Sequence, residues 1–402
     1  MHILKSCLII LLASTFAAYA QQADITIAKG TARLSFDPAP FAASDPSAQL
    51  FIQVLSDNLV RSKSFARGRA GQADYSISGS ATSQGGRFRA DIRVTARGAT
   101  SPAFTRTYQQ DAAGIRRAAH EAADDILLAL TGRKGMASAQ LVLVGNRTGH
   151  KELYIADADG QGLYQLTADN SLSLSPSWSP DGSRIFYTSY LRTFPAIFEV
   201  NLQTRGRNRI ANYAGLNTGG IVSPNGRQMA LILSRDGNPE LYVKNLADNS
   251  LTRLTRTPRA VESSPSWSPD GRQIVYVSDV SGRPQLYIIS ATGGEPRRLT
   301  HRNSQNVSPD WGPNNKIAHA GLVGGRFHIF VIDPVTGATE QITSGNHDFE
   351  EPSWAPDGRH LAAKRTIQYA SRVVLLDTMG EPPIVLVDQP GDWSSPRWSP
   401  GR

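Results

Sequence analysis

One pentapeptide recurs through the C-terminal two thirds of this chain, and its spacing leaves few folds open. It reads Trp178-Ser179-Pro180-Asp181-Gly182, Val222-Ser223-Pro224-Asn225-Gly226, Trp267-Ser268-Pro269-Asp270-Gly271, Trp311-Gly312-Pro313-Asn314-Asn315, Trp354-Ala355-Pro356-Asp357-Gly358 and finally Trp398-Ser399-Pro400. Successive first positions lie 44, 45, 44, 43 and 44 residues apart. Four-stranded propeller blades repeat every ~40–50 residues. Ser-Pro-Asp-Gly suits a type I turn, with Ser first, Pro preset at the second position, Asp third and Gly leaving the turn. The Trp before it is expected to end a strand and wedge its flat ring between neighbouring sheets.

Three short β-rich runs follow each turn. Examples are Ile274-Val275-Tyr276-Val277, then Leu286-Tyr287-Ile288-Ile289, then the brief Arg298-Leu299-Thr300, separated by Gly, Asn and Pro clusters. Leu141 to Val144, Leu153 to Ile155 and Tyr164 to Thr167 match these three runs without a Trp strand before them. Trp398-Ser399-Pro400 is a Trp strand with no runs after it. Together they make one blade. Five whole units plus this shared one predict a mainly β chain, a six-bladed β-propeller over 136–402, closed by its C-terminal strand. Closure leaves only short protected edges.

Residues 21–135 read as a small α/β domain. Asp24 to Ala28 and Ala32 to Asp37 are strand-like, and Asp45-Pro46 starts a helix with Leu50, Phe51, Val54, Leu55 and Leu59 on one face. Strands are predicted at Tyr75 to Ser80, along the alternating Phe88, Ala90, Ile92 and Val94, and at Phe104 to Tyr108. A second helix runs from Asp111 to a stop at Gly132. Arg133-Lys134-Gly135 is the expected hinge.

Residues 1–20 carry Lys5, an apolar run from Leu8 and the small-x-small end Ala18-Tyr19-Ala20, the pattern of a cleaved signal peptide. The mature chain is expected to begin at Gln21 outside the cytoplasm. Cys7, the sole cysteine, falls inside that leader, so no disulfide, thiolate nucleophile or cysteine metal ligand is expected afterwards. The formal charge of +8 is spread thinly, with no dense basic run, which argues against nucleic acid. No Gly-x-Ser-x-Gly elbow or His-Glu-x-x-His motif is present, and the reading is of a protein that is not an enzyme.

A leader, an α/β domain, a helix ending in Leu130-Thr131-Gly132-Arg133-Lys134-Gly135, the Trp-Ser-Pro-Asp-Gly repeats and the shared blade together resemble the TolB family over essentially the whole mature chain. The resemblance implies a periplasmic scaffold of the Tol-Pal system, a monomer peripheral to membranes. It implies a role in outer-membrane integrity and in constriction at division. It implies that a Pal-like peptidoglycan-associated lipoprotein docks on loops just before each Trp strand: Ser173, Leu216, Asn217, Thr218, Glu262, Ser263, Ser264, Gln305, Asn306, His347, Asp348, Glu350, Glu351 and Trp393. It also implies that a TolA-like inner-membrane protein binds Gln21, Gln22, Ala23, Asp24, Ile25, Thr26 and Ile27. One physical reason supports the first group independently, since loops at equivalent repeat positions emerge on one face around the axis.

Two departures from the family stand out. Phe65 to Asp74 is short where relatives carry another helix, and Val222 replaces Trp, so the second blade is expected to be the irregular one. No cofactor is required. A channel calcium held by Glu262, Asp310, Glu350, Glu351 or Asp392 is the sign of an alternative reading, a lactonase-like hydrolase. A glycan-binding propeller, using Trp393, Tyr190 or Tyr213, is the other.

Overall fold

Asp45 ends an extended segment and caps the first helix, its Oδ1 accepting the Ala48 amide at 2.9 Å. With Pro46 at the first position, helix α1 (Pro46–Arg61) starts where the sequence predicts. A computed structural model describes residues 32–401 apart from Thr193. The expected leader, Gln21–Ile27 and the strand expected from Asp24 lie outside the described residues. Ala48, Phe51, Leu55 and Leu59 recur at helical spacing and are buried. Leu50, expected among them, falls outside that stripe and is exposed.

Strands β1 (Leu34–Asp37), β2 (Phe41–Ala42), β3 (Phe65–Arg67), β4 (Tyr75–Gln84), β5 (Arg87–Ala96) and β6 (Phe104–Asp111) form one sheet in the order β3-β1-β4-β5-β6, with β2 beside β4. Helix α2 (Ile115–Thr131) begins four residues later than expected, because Ala112–Gly114 forms a 3-10 turn first. Gly132 ends it in the left-handed region, φ 70°, where a side chain would be strained. Both helices pack on the sheet through Phe51, Leu55, Phe88, Ile92 and Ile126. The short 65–74 segment supplies the edge strand β3 in place of a helix, and Phe65 meets Phe36 edge-to-face at 6.3 Å.

Beyond Gly135 the chain builds six four-stranded antiparallel sheets. The first blade is Ser173–Trp178, Arg184–Ser189, Ala196–Asn201 and Arg207–Ala211, running from the axis outward. The inner strands of the next five are Asn217–Val222, Glu262–Trp267, Asn306–Trp311, Asp348–Trp354 and Trp393–Trp398. The last pairs with Gln140–Gly145, placing Trp398 opposite Leu141 and Trp393 opposite Gly145. Ser399 and Gln140 exchange two further hydrogen bonds, at 2.8 and 2.9 Å. The ring closes as the repeat count requires.

The repeat's chemistry is visible in each blade. Gly182 N–H returns to the Ser179 carbonyl at 2.9 Å, and Gly182 has φ 69°, as a type I turn followed by a left-handed residue demands. Trp178 and Trp267 reach back to the preceding blade, their Nε1 donating to the carbonyls of Arg397 and Ile221 at 2.9 Å. The residue before each Trp also bridges blades. Ser266 Oγ accepts Trp311 N, Asp310 Oδ2 accepts Trp354 N and Ser353 Oγ accepts Trp398 N, at 3.0, 2.7 and 3.2 Å. In the outer runs, the hydroxyls of Thr167, Thr255, Thr300 and Thr343 accept the amides of Leu153, Leu241, Leu286 and Ile329 at 2.8–2.9 Å. That latch explains the recurring Leu-Thr.

The irregularity expected at Val222 does not occur. Its strand pairs with Gln228–Leu233 in the register, and with the bulge, of the other blades. Gly220 compensates for the lost indole: a Cβ there would lie 2.8 Å from Ile197 Cγ2, so the absence of one lets the first two blades approach. Phe186, Met229 and Tyr242 complete that junction.

The expected hinge is fastened. Asp124 on α2 accepts Ala137 N, Ser138 N and Ser138 Oγ at 2.9, 2.8 and 2.6 Å. Gly135 lies so close that a Cβ would stand 1.9 Å from Asp124 Oδ1.

Candidate functional site

The inner strands all run in one direction, so their first residues gather at one mouth of the central channel. The hairpins joining each blade's second and third strands and the connections between blades gather there too. The residues expected in loops before the Trp strands are therefore largely strand residues. Ser173, Asn217, Glu262, Asn306, Asp348 and Trp393 each open an inner strand. Leu216, Gln305 and His347 immediately precede one, while Thr218, Ser263, Ser264, Glu350 and Glu351 lie within.

Exposure divides them. Ser173, Asn217, Glu262, Asn306 and Trp393 are wholly buried. Asn217 closes its own loop through Tyr213 N and O at 2.8 Å. Asn306 Nδ2 donates to Gln285 Oε1 at 2.9 Å, and Ser173 Oγ to Asp169 at 3.3 Å. Trp393, expected at a loop tip, lies edge-on to Tyr154 at 5.1 Å and donates to the Gln389 carbonyl. Its ring fills the space above Gly145. Strand pairing at the axis drew these side chains inward, and they support the mouth rather than face it. The other nine are partly exposed.

One feature the sequence did not suggest is common to all six blades. The residue three before the Trp (before Val222 in the second blade), Ser175, Gly219, Ser264, Ser308, Glu351 and Ser395, has φ between 49° and 70°, at a break in strand register. Such left-handed, bulged residues turn backbone and side chain toward the channel. Here they ring a cavity of about 210 Å³.

The acidic residues considered for a channel calcium are not brought together; each has its own partner. Glu351 Oε2 accepts Ser395 N at 2.5 Å, Glu350 pairs with Lys364 at 3.0 Å, and Asp392 accepts Asn146 Nδ2 at 3.0 Å. Asp310 lies 3.5 Å from Arg397; burial pushes its carboxyl pKa up, and Arg397 opposes that. Glu262 Oε1 accepts Ser278 Oγ at 2.9 Å, and its carboxyl faces Glu240 between blades.

Among the described residues, the cluster of three possible metal ligands is elsewhere, where α2 meets the sixth blade: His120, Asp157 and Asp159. Its hydrogen bonds fit a metal poorly. Arg61 Nη1 donates to Asn58 Oδ1 at 2.8 Å, which turns Asn58 Nδ2 toward His120 Nδ1 at 2.7 Å. Nδ1 is therefore an acceptor and Nε2 carries the proton, directed at Asp157 3.6 Å away. Arg116 already neutralises Asp157 and Asp159. The cluster joins the two domains.

Around the mouth, Leu172, Tyr190, Leu191 and Phe194 form an exposed apolar patch on the first blade, Phe194 being 65% exposed. Tyr190 N–H donates to the Leu172 carbonyl, which holds the two segments together. Comparable hairpins read Asp236-Gly237-Asn238-Pro239 and Val280-Ser281-Gly282-Arg283-Pro284, so the apolar Leu191 and Phe194 were a legible and overlooked signal. Exposed Arg147, Arg256, Arg259, Arg283 and Arg302 make the rim basic.

Residues 128–402 match the family model for the TolB beta propeller domain. The chain belongs to the TolB family. A TolB homolog from Chlorobium luteolum is 32% identical over 196 residues, 49% of this chain and 44% of that protein. The Tol-Pal system protein TolB of Bordetella pertussis is 31% identical over 291 residues, 65% of each chain. The aligned sequence thus spans between about half and two thirds of these curated relatives. The crystal structure of TolB from Acinetobacter baumannii superimposes with a TM-score of 0.81 at 25% identity, covering 92% of this chain and 98% of that one. The TolB likeness therefore takes in the α/β domain as well as the propeller.

Proposed function

We propose that this TolB-family chain is a non-enzymatic scaffold of the Tol-Pal system, exported to the periplasm. It docks a Pal-like lipoprotein on the channel mouth and a TolA-like protein through Gln21–Ile27, and so supports envelope integrity during constriction. The observation that carries this reading is the superposition on TolB from Acinetobacter baumannii through both domains. Relatives named as Tol-Pal system proteins support it. The mouth suits a protein partner: an apolar patch for burial, the ring of left-handed residues with its short polar side chains, and a basic rim for acidic groups. Leu216, Thr218, Ser263, Ser264, Gln305, His347, Asp348, Glu350 and Glu351 are the proposed contacts. Ser173, Asn217, Glu262, Asn306 and Trp393 act behind them. The test is affinity capture from an envelope extract with the mature chain, with a chain lacking 21–27 and with Phe194→Asp. Pal should be retained by the first two and weakened in the third, with TolA lost only from the truncation. Capture of neither would overturn the assignment.

A further inference from the structure

Equivalent blade junctions provide an internal control for one unusual pair. After the second, third and sixth blades, the residue opening the third strand faces the residue opening the next inner strand. Between the third and fourth blades these are Gln285 and Asn306, a neutral pair joined by Asn306 Nδ2–H to Gln285 Oε1 at 2.9 Å. Between the second and third they are Glu240 and Glu262, both wholly buried. Ser278 Oγ donates to Glu262 Oε1 at 2.9 Å and Asn238 Nδ2 to Glu240 Oε1 at 3.3 Å, while Thr257 Oγ1, with one hydrogen to give, lies 3.4 Å from Glu240 Oε1 and 3.1 and 3.0 Å from the two Glu262 oxygens. Arg253 Nη2 and Thr257 N both serve Glu240 Oε1, at 2.9 and 2.6 Å. Glu240 Oε2 is buried and has no partner.

We propose that Glu240 and Glu262 share one proton, carried by Glu262 toward Glu240 Oε2, so that the junction between the second and third blades is a proton-operated clasp. The proton supplies the donor that Asn306 supplies one junction further on, and it satisfies the orphaned oxygen. Two facing buried carboxylates with one guanidinium, on Glu240, cannot both ionise cheaply.

The surroundings do not reverse this. Arg253 is the cation in contact, and Asp236 stands 4.0 Å behind it. Tyr276 from the third blade lies near both carboxylates, while Asp279 beyond it accepts Val261 N at 2.8 Å. Arg256 and Arg259 on the connecting loop are exposed to solvent. Burial, with the facing Glu240 adding to it, raises the Glu262 pKa from the ordinary 4.5 to about 7. Because the folded value lies above the unfolded one, the native state holds the extra proton between them. Stability from this site is complete below about 4.5 and is lost as the pH rises to about 7. Loss of the proton releases it to solvent and leaves two facing anions beside Ser263 and Ser264. The clasp is independent of what docks there.

The test is thermal unfolding of the full mature chain from pH 5 to pH 8, with Glu262→Gln and Glu240→Gln, alongside infrared spectra of each. In the parent, this site should weaken the folding equilibrium about tenfold per pH unit across the window, the linkage of one proton. Glu262→Gln, which rebuilds the neighbouring junction's amide donor, should flatten that slope, raise the Tm at pH 8 and remove the component of the protonated-carboxyl C=O band that titrates across the window. Glu240→Gln should flatten the slope too, since an amide no longer repels ionised Glu262. Parallel slopes in parent and both variants would overturn the proposal. So would a C=O band unchanged in Glu262→Gln, or calcium restoring the parent's Tm at pH 8 but not the variant's, which would put a cation where the proton is placed.

Discussion

The two domains solve the same problem of burial differently. The α/β domain has one core, in which Phe51, Leu55, Phe88 and Ile126 share neighbours. The propeller has six smaller cores, one at each blade junction, and no blade is covered on both faces without its two neighbours. A fault in the first is felt throughout one unit. A fault in the second is local unless it opens the ring.

The largest effect should follow from removing residues 395–402, which deletes Arg397 and Trp398 and with them the acceptor of Trp178 Nε1. The propeller should lose its cooperative transition while the α/β domain keeps its own, as read by calorimetry; an unchanged propeller Tm would break the comparison. Next, Phe51→Ala should cost about 3–5 kcal/mol by emptying the single core, lowering only the α/β domain's transition. A smaller change is expected from Asp124→Ala. It strips the acceptor from the part-buried bonds of Ala137 N and Ser138 N at about 0.5–1.5 kcal/mol each, and should widen the gap between the two transitions; an unchanged gap would show that the linker clasp is not what couples the domains.

The smallest effect concerns one exposed turn. Hydrogen bonds from Ser179 Oγ and Ser183 N hold Asp181 at a pKa of about 2. Its contribution is present above about 3.8 and is lost as the pH falls toward 2. Asp181→Asn, the residue the second blade already carries at 225, should keep the turn and slightly flatten the acid melting of the propeller. A markedly lower Tm at neutral pH would show that the turn needs the charge itself.

Sequence made the fold legible because propeller chemistry is periodic. Six prolines at a fixed offset, five of them in turns, declared the blades, and the split runs at Leu141 and Trp398 declared the closure. Single residues were harder. Val222 looked like a defect because its compensation, Gly220 against Ile197, is a contact between blades. Trp393 looked like a docking residue because nothing local shows that its ring roofs Gly145. The mouth proposed for docking was placed by repeat position, but which side chains point outward depends on the bulge at Ser175 and its equivalents. Bulges leave no clear mark in a strand sequence.

The sixth blade has a temporal consequence. Gln140 and Ser399, hydrogen-bonded in the closed ring, lie 259 residues apart. As the polypeptide is made from its amino end, the strand at 140–145 must wait unpaired along one edge until almost everything else has been synthesised. Five blades can stack in an open arc during that interval, but the circle itself is completed by a late arrival.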